Sequence, residues 1–156
     1  MDASIKIPCT LLPVNKHNLL LPNSAIAEVI VCGGLESPAK SPAWLIGSTT
    51  WQNQIIHIIA FDKFISSEKS TGSDKNTVVI VRNPSIDSID NSPAFFGILV
   101  KNIPQVIEAN SHNIDKNMHP NISHPHAKSY IIIKNLDAII PDIASIAKAI
   151  NNPDLA

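Results

Sequence analysis

Four histidines, His112, His119, His124 and His126, fall within fifteen residues of one another. Imidazole nitrogens at that density could ligate zinc or nickel. Their spacing matches no zinc finger, however, no cysteine or convincing carboxylate joins them, and Pro120 and Pro125 break any shared helical face. They read as a solvated loop. His57 stands inside an apolar run, yet no serine, cysteine or carboxylate is placed by motif to use it as a base. It reads as a hydrogen-bonded core or edge histidine. Asp87, Asp90 and Glu108 are scattered carboxylates in polar stretches rather than an acid pair. Cys9 and Cys32 stand far apart without a CxxC and read as small buried hydrophobes. Phosphate-cradling glycine loops, nucleophile elbows and HExxH are all absent from the sequence. The residues support no catalysis and imply no cofactor.

The elements that carry these residues are short strands. Residues 41–64 form the organising stretch, a β-hairpin with arms at 44–50 and 55–61 and a turn at 51–54. In that turn Asn53 is the residue best suited to left-handed backbone. The second arm is apolar on both parities except at His57, so it belongs inside a sheet. Strands are also expected over 5–12, 19–22, 29–32, 77–82, 94–100, 104–108 and 130–133. Gly97 is expected to mark a bulge or a close backbone approach. Asn23 is expected to cap a short helix over 23–28. Residues 62–65 suit a single turn, residues 109–128 irregular structure, residues 135–140 a turn with a short strand or helix, and residues 141–150 a final helix. Ile143, Ile146, Ala147 and Ile150 form that helix's apolar stripe. Polar loops are expected at 66–76 and 83–93.

Composition agrees with a sheet protein. Hydrophobic residues make up 44% of the 156 but aromatics only 4%, so isoleucine, valine and leucine must build the core. A formal net charge of −1 offers no field for gripping phosphate backbones, which excludes nucleic-acid binding. The first ten residues lack the pattern of a secretory signal, and no apolar run reaches bilayer length. A cytoplasmic protein is expected, with about ten strands in two lobes divided near residues 66–76, built as small barrels or a sandwich.

The order of these elements resembles the CheW-like family of chemotaxis coupling proteins over nearly the whole chain. The matching residues are Leu21-Pro22 with Ile26-Ala27-Glu28-Val29, the run from Pro42 to Gly47 that leads into the hairpin, the run from Asn76 to Val81, then Phe96-Gly97-Ile98-Leu99-Val100, and the run from Ile132 to Asp137. The resemblance implies a single mainly β domain over 1–156, made of two intertwined five-stranded SH3-like β-barrel lobes at about 14–66 and 76–134, with short helices and a C-terminal helix. It implies a non-catalytic adaptor that couples the cytoplasmic tip of a chemoreceptor to the regulatory domain of a CheA-type histidine kinase, with no nucleic acid and no insertion into the membrane. It also implies partner-binding residues at Ile26, Glu28, Ile30, Gly47, Gln52, Asn53, Val79 and Gly97.

The chain departs from the family at several points. Thr50-Trp51-Gln52-Asn53 stands where the family has Asn-Leu-Arg-Gly at the turn, Lys101 replaces an aspartate, His57 a proline, and residues 110–128 are compressed. These features are similar to the accessory coupling proteins of type IV pilus systems, which points to twitching motility. The alternatives are a degenerate paralogue with another protein partner and a β-barrel that binds a small ligand or a metal.

Overall fold

The structure is a computed structural model that describes residues 6–15, 17–36, 40–65, 75–84, 92–117 and 124–151. Eleven strands are described: β1 (Ile7–Val14), β2 (His17–Pro22), β3 (Ile26–Cys32), β4 (Leu45–Trp51), β5 (Gln54–Ile59), β6 (Asn76–Arg82), β7 (Phe95–Val100), β8 (Gln105–Ala109), β9 (Ile114–Lys116), β10 (Ala127–Ile133) and β11 (Leu136–Pro141). Two helices join them, α1 (Asp62–Ile65) and α2 (Ile143–Asn151). The strands make a six-stranded sheet in the order β8-β1-β2-β11-β10-β9 and a five-stranded sheet in the order β3-β6-β7-β5-β4. Each sheet is antiparallel apart from one parallel pair, β2 with β11 and β5 with β7.

The chain therefore begins in the first sheet, builds the whole second sheet, and returns to finish the first. That path interleaves the two lobes. It also corrects their boundary, because β5 and β6, on either side of residues 66–74, belong to the same sheet. The crossings lie at the 3₁₀ turn Asn23–Ala25 and between β7 and β8. One lobe has the expected five strands and the other has six. The sixth is β9, formed inside a segment expected to be irregular. Its three residues pair with β10 at Lys116↔Ile131, Asp115↔Ile132 and Ile114↔Ile133, after a turn held by side chains. The Asn110 carboxamide oxygen accepts from the amides of His112 and Asn113 at 2.8 and 3.1 Å, and Asn113 Nδ2 donates to Glu108 O at 2.7 Å.

Period-two alternation explains the three cores. In β1 and β2, Leu12, Val14, Leu19 and Leu21 point to a central core, whereas Cys9, Leu11 and Leu20 point into the first lobe with Ile131 and Ile133. In the second sheet, Val79, Val81, Phe96 and Ile98 join the central core, and Ile80 with Trp51 and Ile56 fills the second lobe. Helix α2 closes the seam with the expected stripe, as Ile143, Ile146, Ala147 and Ile150 all belong to the central core. Asp142 caps it, accepting from the amide of Ser145 at 3.1 Å, while Pro141 ends β11 rather than opening the helix.

The helix expected over 23–28 is reduced to the 3₁₀ turn. From Ile26 onward the chain pairs with β6, passing a register shift between Ile26 and Glu28. Sheet pairing overrides the alanines' helix propensity there. Asn23 does not cap: its side-chain oxygen accepts from Thr10 Oγ1 at 2.7 Å, tying the turn to β1.

Candidate partner-binding surface

Strands β3 and β4 are the two outer strands of the second sheet, yet Trp51 Nε1 on β4 donates to the Glu28 carboxylate on β3. The sheet must curl until its edges meet, which is how a small barrel removes exposed edges. Trp51 is buried and its ring lies 5.1 Å from that of Phe95. Ile30 is half-buried against this core and Ile26 against the central one.

The β4–β5 hairpin turns through Gln52 and Asn53, with φ of 47° and 61°. Two successive left-handed residues define a type I′ turn, whose twist matches that of the flanking strands. Both residues are exposed at the tip, beside Ile55, which is 70% exposed.

Gly47, Gly97 and Val79 lie inside the fold. A Cβ at Gly47 would sit 3.1 Å from Leu35 Cβ and 3.3 Å from Glu36 O, so this position seats the connector that follows β3. A register shift between Leu45 and Gly47 accompanies that contact. Gly97 is a close approach and not a bulge, because a Cβ there would fall 2.5 Å from Val78 Cγ1. Val79 has no exposed surface. Val79 and Gly97 are thus corrected from partner contacts to core positions.

Glu28 reaches solvent on β3, and so do two large apolar side chains, Val29 and Val31, 47% and 66% exposed. The alternation of IAEVIVC carried that signal, since Ile30 points inward and its neighbours must point out. On the first lobe, Ile103 and Val106 are exposed beside Lys101, whose amide donates to Pro13 O at 2.8 Å.

A cleft of about 640 Å³ opens at the seam between the lobes, lined by Leu21, Pro22, Arg82, Lys128, Asp142 and Ile143 among others. Arg82 Nη1 donates to Ser24 O and Ile26 O at 3.1 and 2.9 Å, which pins the end of β6 to the 3₁₀ turn.

The candidate chemistry resolves as follows. His112 is exposed on the turn before β9, and His124 and His126 lie side by side with ring centroids 5.2 Å apart. His119 lies outside the described residues, as do Asp87 and Asp90. Among the described residues no three His, Cys, Asp or Glu side chains converge as metal ligands. His57 is half-buried on β5. Glu108 faces Lys6 at 3.9 Å in an exposed ion pair. Cys9 and Cys32 are free, and burial pushes both thiols up.

A family model of the CheW-like domain matches residues 8–151. The chain belongs to the CheW-like family. Among solved structures it is similar to the scaffolding protein TtCheW from Thermoanaerobacter tengcongensis, at 15% identity and a TM-score of 0.69 over 88% of this chain and 89% of that one. No curated protein matches it. CheW-like proteins are non-catalytic scaffolding adaptors of chemotaxis signalling, and two β lobes with a C-terminal helix are the CheW-like fold. Asn53 has a φ of 61°, in the left-handed region that favours glycine. Asparagine tolerates that conformation, so the turn forms without glycine. Gln52 supplies no charge at the tip. Among the described residues, no helix is long and apolar enough to cross a membrane.

Proposed function

We propose that the chain is a cytoplasmic coupling protein that joins the tip of a chemoreceptor to the regulatory domain of a CheA-type histidine kinase through separate surfaces. The observation that carries this reading is the family match over residues 8–151 on a complete pair of β lobes. Support for a docking role comes from the apolar side chains left outside the cores, Val29 and Val31 along β3 and Ile55 beside the hairpin tip, since exposed apolar side chains suit a protein partner.

Calorimetric titration of the purified chain with the kinase regulatory domain from the same cell tests it. Micromolar binding, about −8 kcal/mol, is expected. No detectable heat at millimolar kinase domain would mean that the chain keeps the fold but serves another partner.

The pathway in this reading is type IV pilus twitching motility, supported by the departures at Gln52, Asn53 and Lys101. Deleting the gene should abolish surface twitching and leave swimming through soft agar intact. The reverse pattern would move the protein to a flagellar pathway.

A further inference from the structure

We propose that His124, His126 and Phe64 form an acid-released clasp across the seam between the lobes, closed while His126 is neutral and opened by its protonation. Phe64 lies on α1, directly after β5 of the second sheet, whereas the two histidines lead into β10 of the first. Its ring stands 4.7 Å from that of His126 and 5.2 Å from that of His124, with Trp44 at 5.1 Å and Phe61 at 5.5 Å on its other contacts.

The third party is α2. His126 Nδ1 lies 2.7 Å from Ser145 Oγ, and Ser145 Oγ donates to Asp142 O at 3.1 Å. That relay assigns the ring proton to Nδ1, which donates to the serine. The backbone repeats the link, as the Asp142 amide donates to His126 O at 2.7 Å. One residue therefore holds the first turn of the helix and one face of the aromatic cluster together.

The clasp has a chemical fault line at Nε2. His126 is 4% exposed, and among the described residues its buried Nε2 has no hydrogen-bond partner. As a bare lone pair against apolar rings this atom is tolerable. Once protonated it becomes a buried cationic donor with no acceptor, which is far more costly. A cation–π contact with Phe64 offsets only part of that cost.

The titratable groups that act on the ring are His124 and Asp142. His124 cannot help, because its Nδ1 already accepts from the His126 amide at 3.1 Å and a second imidazolium would repel the first. Asp142 favours the charge but is occupied as the α2 cap through the Ser145 amide. Burial, followed by His124, holds the His126 pKa below its ordinary value, with Asp142 pulling weakly the other way, and burial lowers His124 too. A group whose folded pKa is depressed binds its proton more readily in the open form. The clasp is therefore fully stable above the ordinary histidine pKa of about 6.5, and loses stability as pH falls from there through the lower folded value.

The test is residue-specific imidazole titration by NMR, together with amide exchange of Ile146, across pH 5 to 8 on the full chain. Ile146 reports because its amide donates to Asp142 O in the first turn of α2. After correction for intrinsic exchange, opening at Ile146 should rise by up to about tenfold per pH unit from about 6.5 downward, and should level off where folded His126 itself titrates. His126→Phe should remove most of this pH dependence. Ser145→Ala should loosen the helix at every pH while keeping the dependence. An Ile146 protection that stays unchanged between pH about 6.5 and the pH at which folded His126 titrates, or the same pH dependence in His126→Phe, overturns the proposal. If His126→Phe does not fold, the wild-type titration decides by itself, since a His126 pKa at or above 6.5 also overturns it.

Discussion

Glu28 on β3 accepts the indole N–H of Trp51 on β4, although the two strands are the opposite edges of one five-stranded sheet. The bond is a lock on the curl of the second lobe, and Trp51 brings with it the core of Ile56 and Ile80. Removing the acceptor leaves a buried indole donor unsatisfied, at about 1–2 kcal/mol once the exposure of Glu28 is allowed for. Glu28→Ala should show that loss in urea unfolding. Glu28→Gln, which keeps an uncharged acceptor, should lose less than half as much. Equal losses for the two variants would mean that charge, not the hydrogen bond, holds the edges together.

Gly97 is fixed by a single atom. The missing Cβ would meet Val78 Cγ1 at 2.5 Å and Ile58 Cγ1 at 3.2 Å, both in strands that flank β7 and both without exposed surface. A valine locked in a central strand cannot swing aside. Gly97→Ala should destabilise by about 1–3 kcal/mol, the range for overpacking, and adding Val78→Ala should recover part of it. A double mutant that is merely the sum of its parts would disprove the collision.

The contrast between Val29 and Val79 marks what the sequence could and could not disclose. Both are valines in β-rich runs, and they are direct partners across β3 and β6. Val79 is wholly buried because β6 lies between β3 and β7, while Val29 is half-exposed because β3 is an outer strand. Strand order depends on pairings between distant segments, and no local pattern encodes it. The same limit hid β9, whose three residues carry one apolar side chain, and misplaced the lobe boundary at 66–76. What was legible was local. The hairpin turn, the β6 run, the α1 turn and the α2 stripe each follow from residues adjacent in sequence or one helical turn apart. On the candidate surface Gln52 and Asn53 stand at an exposed tip as expected, Val31 is exposed without having been expected there, and Gly97 is buried.

The hairpin tip is strained at Gln52. Gln52 and Asn53 have φ of 47° and 61°, and glutamine has no special tolerance for left-handed backbone. Gln52→Asn with Asn53→Gly installs the pair that type I′ turns favour. The double variant should gain about 0.5–1 kcal/mol of stability, read as a raised unfolding midpoint. A loss would mean that the glutamine side chain contributes something that its exposed position does not reveal.

Gly47 is the position where stability and partner binding can be separated. Its missing Cβ faces Leu35 Cβ at 3.1 Å and Glu36 O at 3.3 Å in the connector after β3, and that connector has no strand pairing of its own in residues 33–36. The connector is held at its start by Asn76 Nδ2, which donates to Gly33 O at 2.8 Å. It can therefore move while the sheet stays whole. Gly47→Arg should leave the chain folded, with a modest drop in unfolding midpoint, and should displace residues 35 and 36 beside the β3 edge. If that edge meets a partner, affinity for the kinase regulatory domain or for the receptor tip falls about tenfold, near 1.4 kcal/mol. A folded Gly47→Arg protein that binds both partners with unchanged affinity would remove the connector from either interface. The coupling surface would then have to lie on the hairpin tip or on the side of the first lobe that carries Ile103 and Val106.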